Sequence, residues 1–266
     1  MDRTEITARY LEALGLERRR PEADFLDEIV RRHVARFPFA SVGPQLGDAL
    51  PLEPQALFDR IVARARGGYC FEQNGLQFEV LEELGFDVTL CLARVIYNRD
   101  IHPGLTHRIT LVSFGDRVQV ADVGFGPLGP AASVPLSGVP VTQGWRQFRV
   151  GEPRPGEFHM QTIKDGDWYS LYRFERVRYG QADCVLGHFF SHRHPDATFV
   201  NNLVVSRILD DEIRHLRNRE FTLTRRDGQV VSEPLRDEAH LWSLLTGQFG
   251  LRISPEEGRV LFGRLP

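Results

Sequence analysis

The chain has 266 residues, 42% of them hydrophobic and 26% charged, enough to bury one large core or several lobes. A formal net charge of −3 advertises neither a nucleic acid nor an acidic membrane surface as partner. No stretch reaches the roughly 18 uninterrupted apolar residues of a membrane span, and three widely spaced cysteines with no CxxC pair argue against a disulfide framework or a zinc ribbon.

The opening segment, MDRTEITARYLEALGLE, is polar and helical in pattern and lacks the basic head and apolar run of a signal peptide. With the odd number of cysteines it points to a reducing, cytoplasmic setting. The run ERRRPEAD that follows reads as a solvated inter-helix segment. In EADFLDEIVRRHVARF, the residues Phe25, Leu26, Ile29, Val30, His33, Val34 and Phe37 share one helical face, and Pro38 ends it. EPQALFDRIVARA sets Pro54 near a helix start, with Leu57, Phe58, Ile61 and Val62 inward. A further helix follows Cys70, with Leu76, Val80, Leu81 and Leu84 at helical spacing and Gly85 as its stop.

After Gly85 the period changes. DVTLCLARVIY, HRITLVSF and RVQVADVGF are rich in β-branched residues and read as strands, with Gly115-Asp116 and Asp165-Gly166 as turns. GPLGPAASVPLSGVPV holds too much Gly and Pro for regular structure and is expected to be a loop over one edge. HMQTIKDGDWYSLYRFERV reads as a hairpin, FVNNLVVSRI as a strand, FTLTRRDGQVV as a second Asp-Gly hairpin and RDEAHLWSLLTGQF as a helix. The pattern divides the chain into a helical lobe over 1–86, a β lobe over 87–190 and a smaller α/β piece over 191–266.

Cys70 stands apart from Cys91 and Cys184. A thiol is most often a small buried hydrophobe, and Cys91, inside an apolar strand, fits that reading. Cys70 lies in RARGGYCFEQNG, behind Gly67 and Gly68, which permit a tight turn and close approach of a ligand. A helix start there leaves unpaired N–H groups and a positive dipole end at the sulfur, which favours thiolate and offers donors to a developing oxyanion. A nucleophile also needs a base and an orienter. His107 opens the strand HRITLV and Asp122 closes the strand QVADVGFG; neighbouring strands would let them meet across the ladder. Taken singly, His107 also reads as a strand-edge histidine and Asp122 as a turn-former before Gly124, so spacing alone leaves the triad open.

RGGYCFEQNGL, THRITLV and VADVGFG, in this order and at these intervals, resemble the arylamine N-acetyltransferase family. FPFASVG (Phe37–Gly43) is similar to a Pro-Phe segment of that family, and FSHRHPDATFVNNLVVSR to its passage from the barrel into the last domain. The resemblance implies an α+β fold of helical bundle, β-barrel and α/β lid, with a cysteine-protease-like triad between the first two. It implies Cys70 as acetyl acceptor, His107 as base and Asp122 as orienter, Phe39 and Phe125 as walls of the acceptor pocket, and Gly124 and Gly126 where coenzyme A approaches. Acetyl-CoA would be the co-substrate and an arylamine or arylhydrazine the acceptor, in a ping-pong reaction with no metal. No nucleic acid or membrane enters this reading.

One departure stands out. Family members carry an acid after the Pro-Phe, in a Pro-Phe-Glu-Asn pattern, and that acid partners the arginine four residues before the cysteine. Here the run is Phe39-Ala40-Ser41 and the arginine is Arg66. An unpaired buried guanidinium is costly, so a substitute carboxylate is expected, and Glu72 is the nominee.

Three other readings compete with acetyl transfer. A cysteine hydrolase could use the same triad, a related amide synthase could act on polyketide-type acyl chains, and a binding module could keep the fold without chemistry. His188, His192 and His194 invite a metal reading, but no Cys or acid stands at zinc spacing, so a hydrogen-bonded or solvated loop is expected. GFGPLG lacks the Gly-Lys-Ser/Thr ending of a phosphate loop.

Overall fold

A computed structural model describes residues 1–266. Asp2 caps the first helix, α1 (Arg3–Leu14), by accepting the Glu5 N–H, and Gly15, at φ 67°, closes it. The helix α2 (Ala23–Arg36) stops two residues before Pro38, and the chain leads into a two-residue strand, β1 (Phe39–Ala40). After α3 (Val42–Leu46), α4 (Pro54–Phe58) runs into a single π-helical turn, Asp59–Ala63. The last helix of this lobe, α5 (Cys70–Glu83), starts on the cysteine itself. Tyr10, Phe25, Leu26, Ile29, Leu57, Ile61, Leu76 and Leu81 interlock in one core. Burying each such Leu or Ile side chain contributes roughly 1.5–3 kcal/mol.

Eight antiparallel strands follow: β2 (Asp87–Val95), β3 (His107–Phe114), β4 (Arg117–Ala121), β5 (Val134–Pro135), β6 (Val141–Gln143), β7 (Arg146–Arg154), β8 (Glu157–Lys164) and β9 (Asp167–Glu175). Their order, β5-β4-β3-β2-β9-β8-β7-β6, forms a nearly closed barrel. In the β8–β9 turn Asp165 and Gly166 both have positive φ, 54° and 88°, as a two-residue hairpin requires.

The helix α6 (Gln181–Arg193) and the short α7 (Thr198–Asn201) lead to a second sheet, with strands β10 (Val204–Ile208), β11 (Glu212–Arg217), β12 (Glu220–Arg225) and β13 (Val230–Pro234). Against it pack α8 (Glu238–Ser243), continued by a π-helical turn, and α9 (Pro255–Arg264). The chain is thus α+β: helical bundle, barrel and α/β lid. No helix is long and apolar enough to cross a membrane.

Three features differ from the sequence reading. The Gly/Pro-rich stretch is not wholly irregular: Val134, fully buried, pairs with Val120 as β5 and extends the barrel edge. The helix α6 went unread and runs through position 190, because its large apolar residues face outward. Val185, Leu186, Phe189 and Phe190 are 51%, 73%, 63% and 42% exposed, so no inward stripe marks it. Finally β1 joins the lid's sheet, pairing Phe39 with Ser206, so the Pro-Phe segment ties the helical lobe to the lid.

Candidate active site

Strand order brings the site together. β3 lies between β2 and β4, with Thr110 opposite Ala121, so His107 at the start of β3 and Asp122 just past β4 reach each other diagonally. His107 Nε2 stands 2.8 Å from Asp122 Oδ2. That leaves Nδ1 free of Asp122, and the neighbouring Cys70 side chain adds to Asp122 in raising the imidazole. The Cys70 thiol also lies 3.5 Å from the Thr106 carbonyl. All three side chains are buried, Cys70 at 3%, His107 at 2% and Asp122 at 1% exposure.

The electrostatics follow from this burial. Desolvation alone would push His107 down, but the charge and hydrogen bond of Asp122, reinforced by Cys70, raise it to about 10. Desolvation would likewise raise Asp122. His107, Asn74 and the Gly124 N–H outweigh it and hold the carboxyl below its usual range. Asn74 was not singled out in the sequence. Its Nδ2 donates to Asp122 Oδ1 at 2.9 Å and to the Arg108 carbonyl at 2.6 Å, and its Oδ1 accepts the Val123 N–H at 2.9 Å. It sits one helical turn after Cys70, so the i, i+4 spacing was the available signal.

Cys70, His107, Phe39, Phe125 and Gly124 line one cavity of about 810 Å³ between barrel and lid. Phe125 packs edge-on to His107, with ring centres 5.2 Å apart, and Tyr172 lies 4.8 Å from the same imidazole. Tyr97, Tyr169 and Phe199 add aromatic wall that the sequence reading did not name. Gly126 does not line this cavity; it lies against Phe39 and Ser206. Gly124 is needed for packing. A Cβ there would fall 2.7 Å from Cys70 Cα and from Asn74 Nδ2. Gly124→Ala must therefore displace the helix start that carries the thiol. We expect about 10²-fold lower kcat/KM and a stability loss of roughly 1–3 kcal/mol, read by initial rates and urea unfolding. Wild-type turnover in this variant would remove the constraint.

Arg66 has a partner, but not the one nominated. Its guanidinium makes a bidentate pair with Glu257 of α9, both contacts 2.7 Å, and donates to the Arg252 carbonyl at 3.0 Å. The mutual hydrogen bond raises Arg66 and lowers Glu257. Glu72 instead lies fully buried, 2.8 Å from Arg60 Nε, and accepts the Tyr69 N–H at 3.1 Å. Burial raises it to about 7 despite Arg60. Ala40 is buried, and the residue beside it must be glycine: a Cβ on Gly67 would stand 2.7 Å from Ala40 Cβ.

The histidine cluster is hydrogen-bonded and lies on α6 and its cap, not in a loop. His188 Nδ1 meets the Tyr69 hydroxyl at 2.5 Å and Nε2 meets the Leu50 carbonyl at 2.7 Å. Burial and His192 hold His188 neutral, lowered to about 4.

The family model for N-acetyltransferases matches residues 22–258. An arylamine N-acetyltransferase of Mycolicibacterium smegmatis is 32% identical over 265 residues, 96% of this chain and 95% of that protein. One of Escherichia coli (strain K12) is 34% identical over 233 residues, 86% and 83% of the two chains. Among solved structures, that of Mycobacterium marinum arylamine N-acetyltransferase in complex with CoA superposes with a TM-score of 0.91 at 28% identity, covering 98% of this chain and 100% of that one. With a family model matched over most of its length and relatives similar from end to end, the chain belongs to the arylamine N-acetyltransferase family and is an acyltransferase.

Proposed function

We propose that the chain transfers acetyl from acetyl-CoA to an arylamine or arylhydrazine in two half-reactions through an acetyl-Cys70 intermediate. The observation that carries this is the buried Cys70–His107–Asp122 constellation opening on an aromatic cavity. The Cys70 thiolate attacks the thioester carbonyl, and the backbone N–H groups of Cys70 and Phe71, which have no backbone acceptor, are free to donate to the oxyanion. The bond to the CoA sulfur breaks, and CoA leaves as thiol with the proton that His107 held. An amine then attacks the acetyl-cysteine, its nitrogen gives a proton to His107, and Cys70 returns as thiolate. Asp122 fixes the imidazole's tautomer while it is neutral and stabilises the imidazolium each time it forms. Aromatic amines are neutral at pH 7, which suits the rings of Phe39, Phe125 and Tyr97, and an apolar aromatic wall slows loss of acetyl to water. Three unpaired cysteines support a reducing, cytoplasmic setting.

Initial rates test this reading. Varying acetyl-CoA at several fixed arylamine concentrations should give parallel double-reciprocal lines, and CoA release without amine should stop after one equivalent. Continuous CoA release without amine would instead indicate a thioesterase.

A further inference from the structure

Glu72 is the third residue of α5, two positions past Cys70, and no step of the reaction above uses it. Its side chain is fully buried. Oε2 accepts the Tyr69 N–H at 3.1 Å, which caps the helix on the residue just before the nucleophile. Oε1 lies 2.8 Å from Arg60 Nε. Arg60 comes from the π-helical turn Asp59–Ala63, and single π turns are frequent at functional sites. Its buried guanidinium fills a slot that only glycine leaves open, since a Cβ on Gly43 would overlap Arg60 Nη2. Arg60 Nη1 donates to Asp48 Oδ2 at 3.1 Å, and the Arg60 carbonyl accepts the Arg66 N–H at 2.9 Å. Arg60 thus ties the loop that precedes the cysteine to the helix that begins on it.

The pair is close but poorly directed. Arg60 Nε and Glu72 Oε1 meet by charge without a well-aligned hydrogen bond, and both atoms are cut off from solvent. A carboxylate in that setting is ionised at a cost. The charged and titratable groups around it are Arg60 on the π turn, Asp48 between α3 and α4, and the Tyr69 phenol and Cys70 at the helix start. Arg66 and Glu257 stand behind them, Arg66 3.9 Å from Asp48. Burial raises Glu72 to about 7, while Arg60 and the Tyr69 N–H pull it down and Asp48 pushes it up. It is therefore ionised above about 7 and neutral below. His107, raised to about 10, and Asp122, held low, do not titrate there, and burial lifts the Tyr69 phenol well above its usual range.

We propose that Arg60 and Glu72 are a positioning pair for the nucleophile: the ionised carboxylate, steadied by Arg60, holds the Tyr69 peptide and so aligns Cys70 and the free N–H groups of Cys70 and Phe71 for acyl transfer. The proposal rests on Cys70 as the attacking thiol in the reading above. Protonation frees Glu72 from Arg60 and leaves the Tyr69 N–H a neutral acceptor, about half as strong. His107, still cationic, continues to favour the thiolate. Attack on a carbonyl, which needs the N–H groups aligned with the oxyanion, then slows. Alkylation, which forms no oxyanion, does not. A carboxylate that acted only through its charge would do the reverse, because its loss beside the thiol favours thiolate.

Acylation of Cys70 by p-nitrophenyl acetate, followed by mass in quenched flow, and its alkylation by iodoacetamide together test the pair. From pH 8 to pH 6 the wild-type acylation rate should fall roughly five- to tenfold around a midpoint of about 7, while alkylation changes less than about twofold. Glu72→Gln, whose amide still caps Tyr69, should acylate at a rate independent of pH and close to the wild-type value at pH 6. Arg60→Met should move the wild-type midpoint up by about one pH unit, and Arg60→Lys should bring it back. A wild-type acylation rate that stays flat or rises towards pH 6 overturns the proposal, as does an unchanged profile in Glu72→Gln. A fall in acylation matched by an equal fall in alkylation also overturns it. Neither reagent contains CoA or an amine, so the outcome is separate from the donor and acceptor of the acetyl-transfer reading.

Discussion

Asp122→Asn should lower acetyl transfer by about 10³–10⁴-fold while leaving the protein folded. The carboxylate accepts from His107, Asn74 and the Gly124 N–H. An amide of the same shape can keep some of these contacts but not the charge. Without that charge, burial dominates and the imidazole falls from about 10 into its neutral form at pH 7. Cys70 then lacks a cationic neighbour, and alkylation by iodoacetamide at pH 7 should slow in parallel with turnover. The sign of the linkage is definite. His107 is raised, so its contribution to stability is complete below its unfolded value of 6.5 and is lost as pH rises through about 10. Asp122 is lowered, so its contribution is present above 3.8 and is lost as pH falls through its folded value. The wild-type protein should therefore keep this pair intact across neutral pH, whereas the variant's alkylation profile moves to higher pH. Equal alkylation rates for the two proteins at pH 7 would remove Asp122 from the site.

Arg66→Met should cost about 2–3 kcal/mol of stability, between the value of an exposed pair and that of a fully buried one. The Arg66 side chain is 15% exposed and that of Glu257 33%. The arginine loses a bidentate pair and its bond to the Arg252 carbonyl. Glu257→Gln should cost less, because the amide still accepts from Arg66 and from the Ser254 N–H that it caps. The same contacts fasten the lid's last segment to the nucleophile loop, where the Arg252 N–H also donates to the Ala65 carbonyl at 2.9 Å. Glu72→Gln should leave Arg66 paired and act through Arg60 instead. Urea unfolding of the three variants checks the order. A loss below about 1 kcal/mol for Arg66→Met would mean the pair is solvated and contributes little.

The parts of this site that were legible in the sequence are those fixed by local chemistry. Two glycines, a cysteine and a helix start are adjacent in sequence and in space. His107 and Asp122 sit at the ends of strands joined by one turn, so a short hairpin sets their meeting. What stayed hidden depends on distant chain. Glu257 lies 191 residues from Arg66, and nothing near either residue announces the pair. Glu72 is close to Arg66 in sequence, but its carboxylate pairs with Arg60. The helix α6 escaped because its apolar residues face solvent, against the inward stripe by which helices are read.

Intact mass after mixing with acetyl-CoA, with no amine present, tests the central claim most directly. The wild-type protein should gain the mass of one acetyl group, located on Cys70 by peptide mapping. Addition of an arylamine should return the protein to its starting mass as the N-acetyl product appears. Cys70→Ala should gain nothing. An acetyl group on Cys91 or Cys184 with Cys70 unmodified, or turnover of amine by the Cys70→Ala protein, would contradict the account.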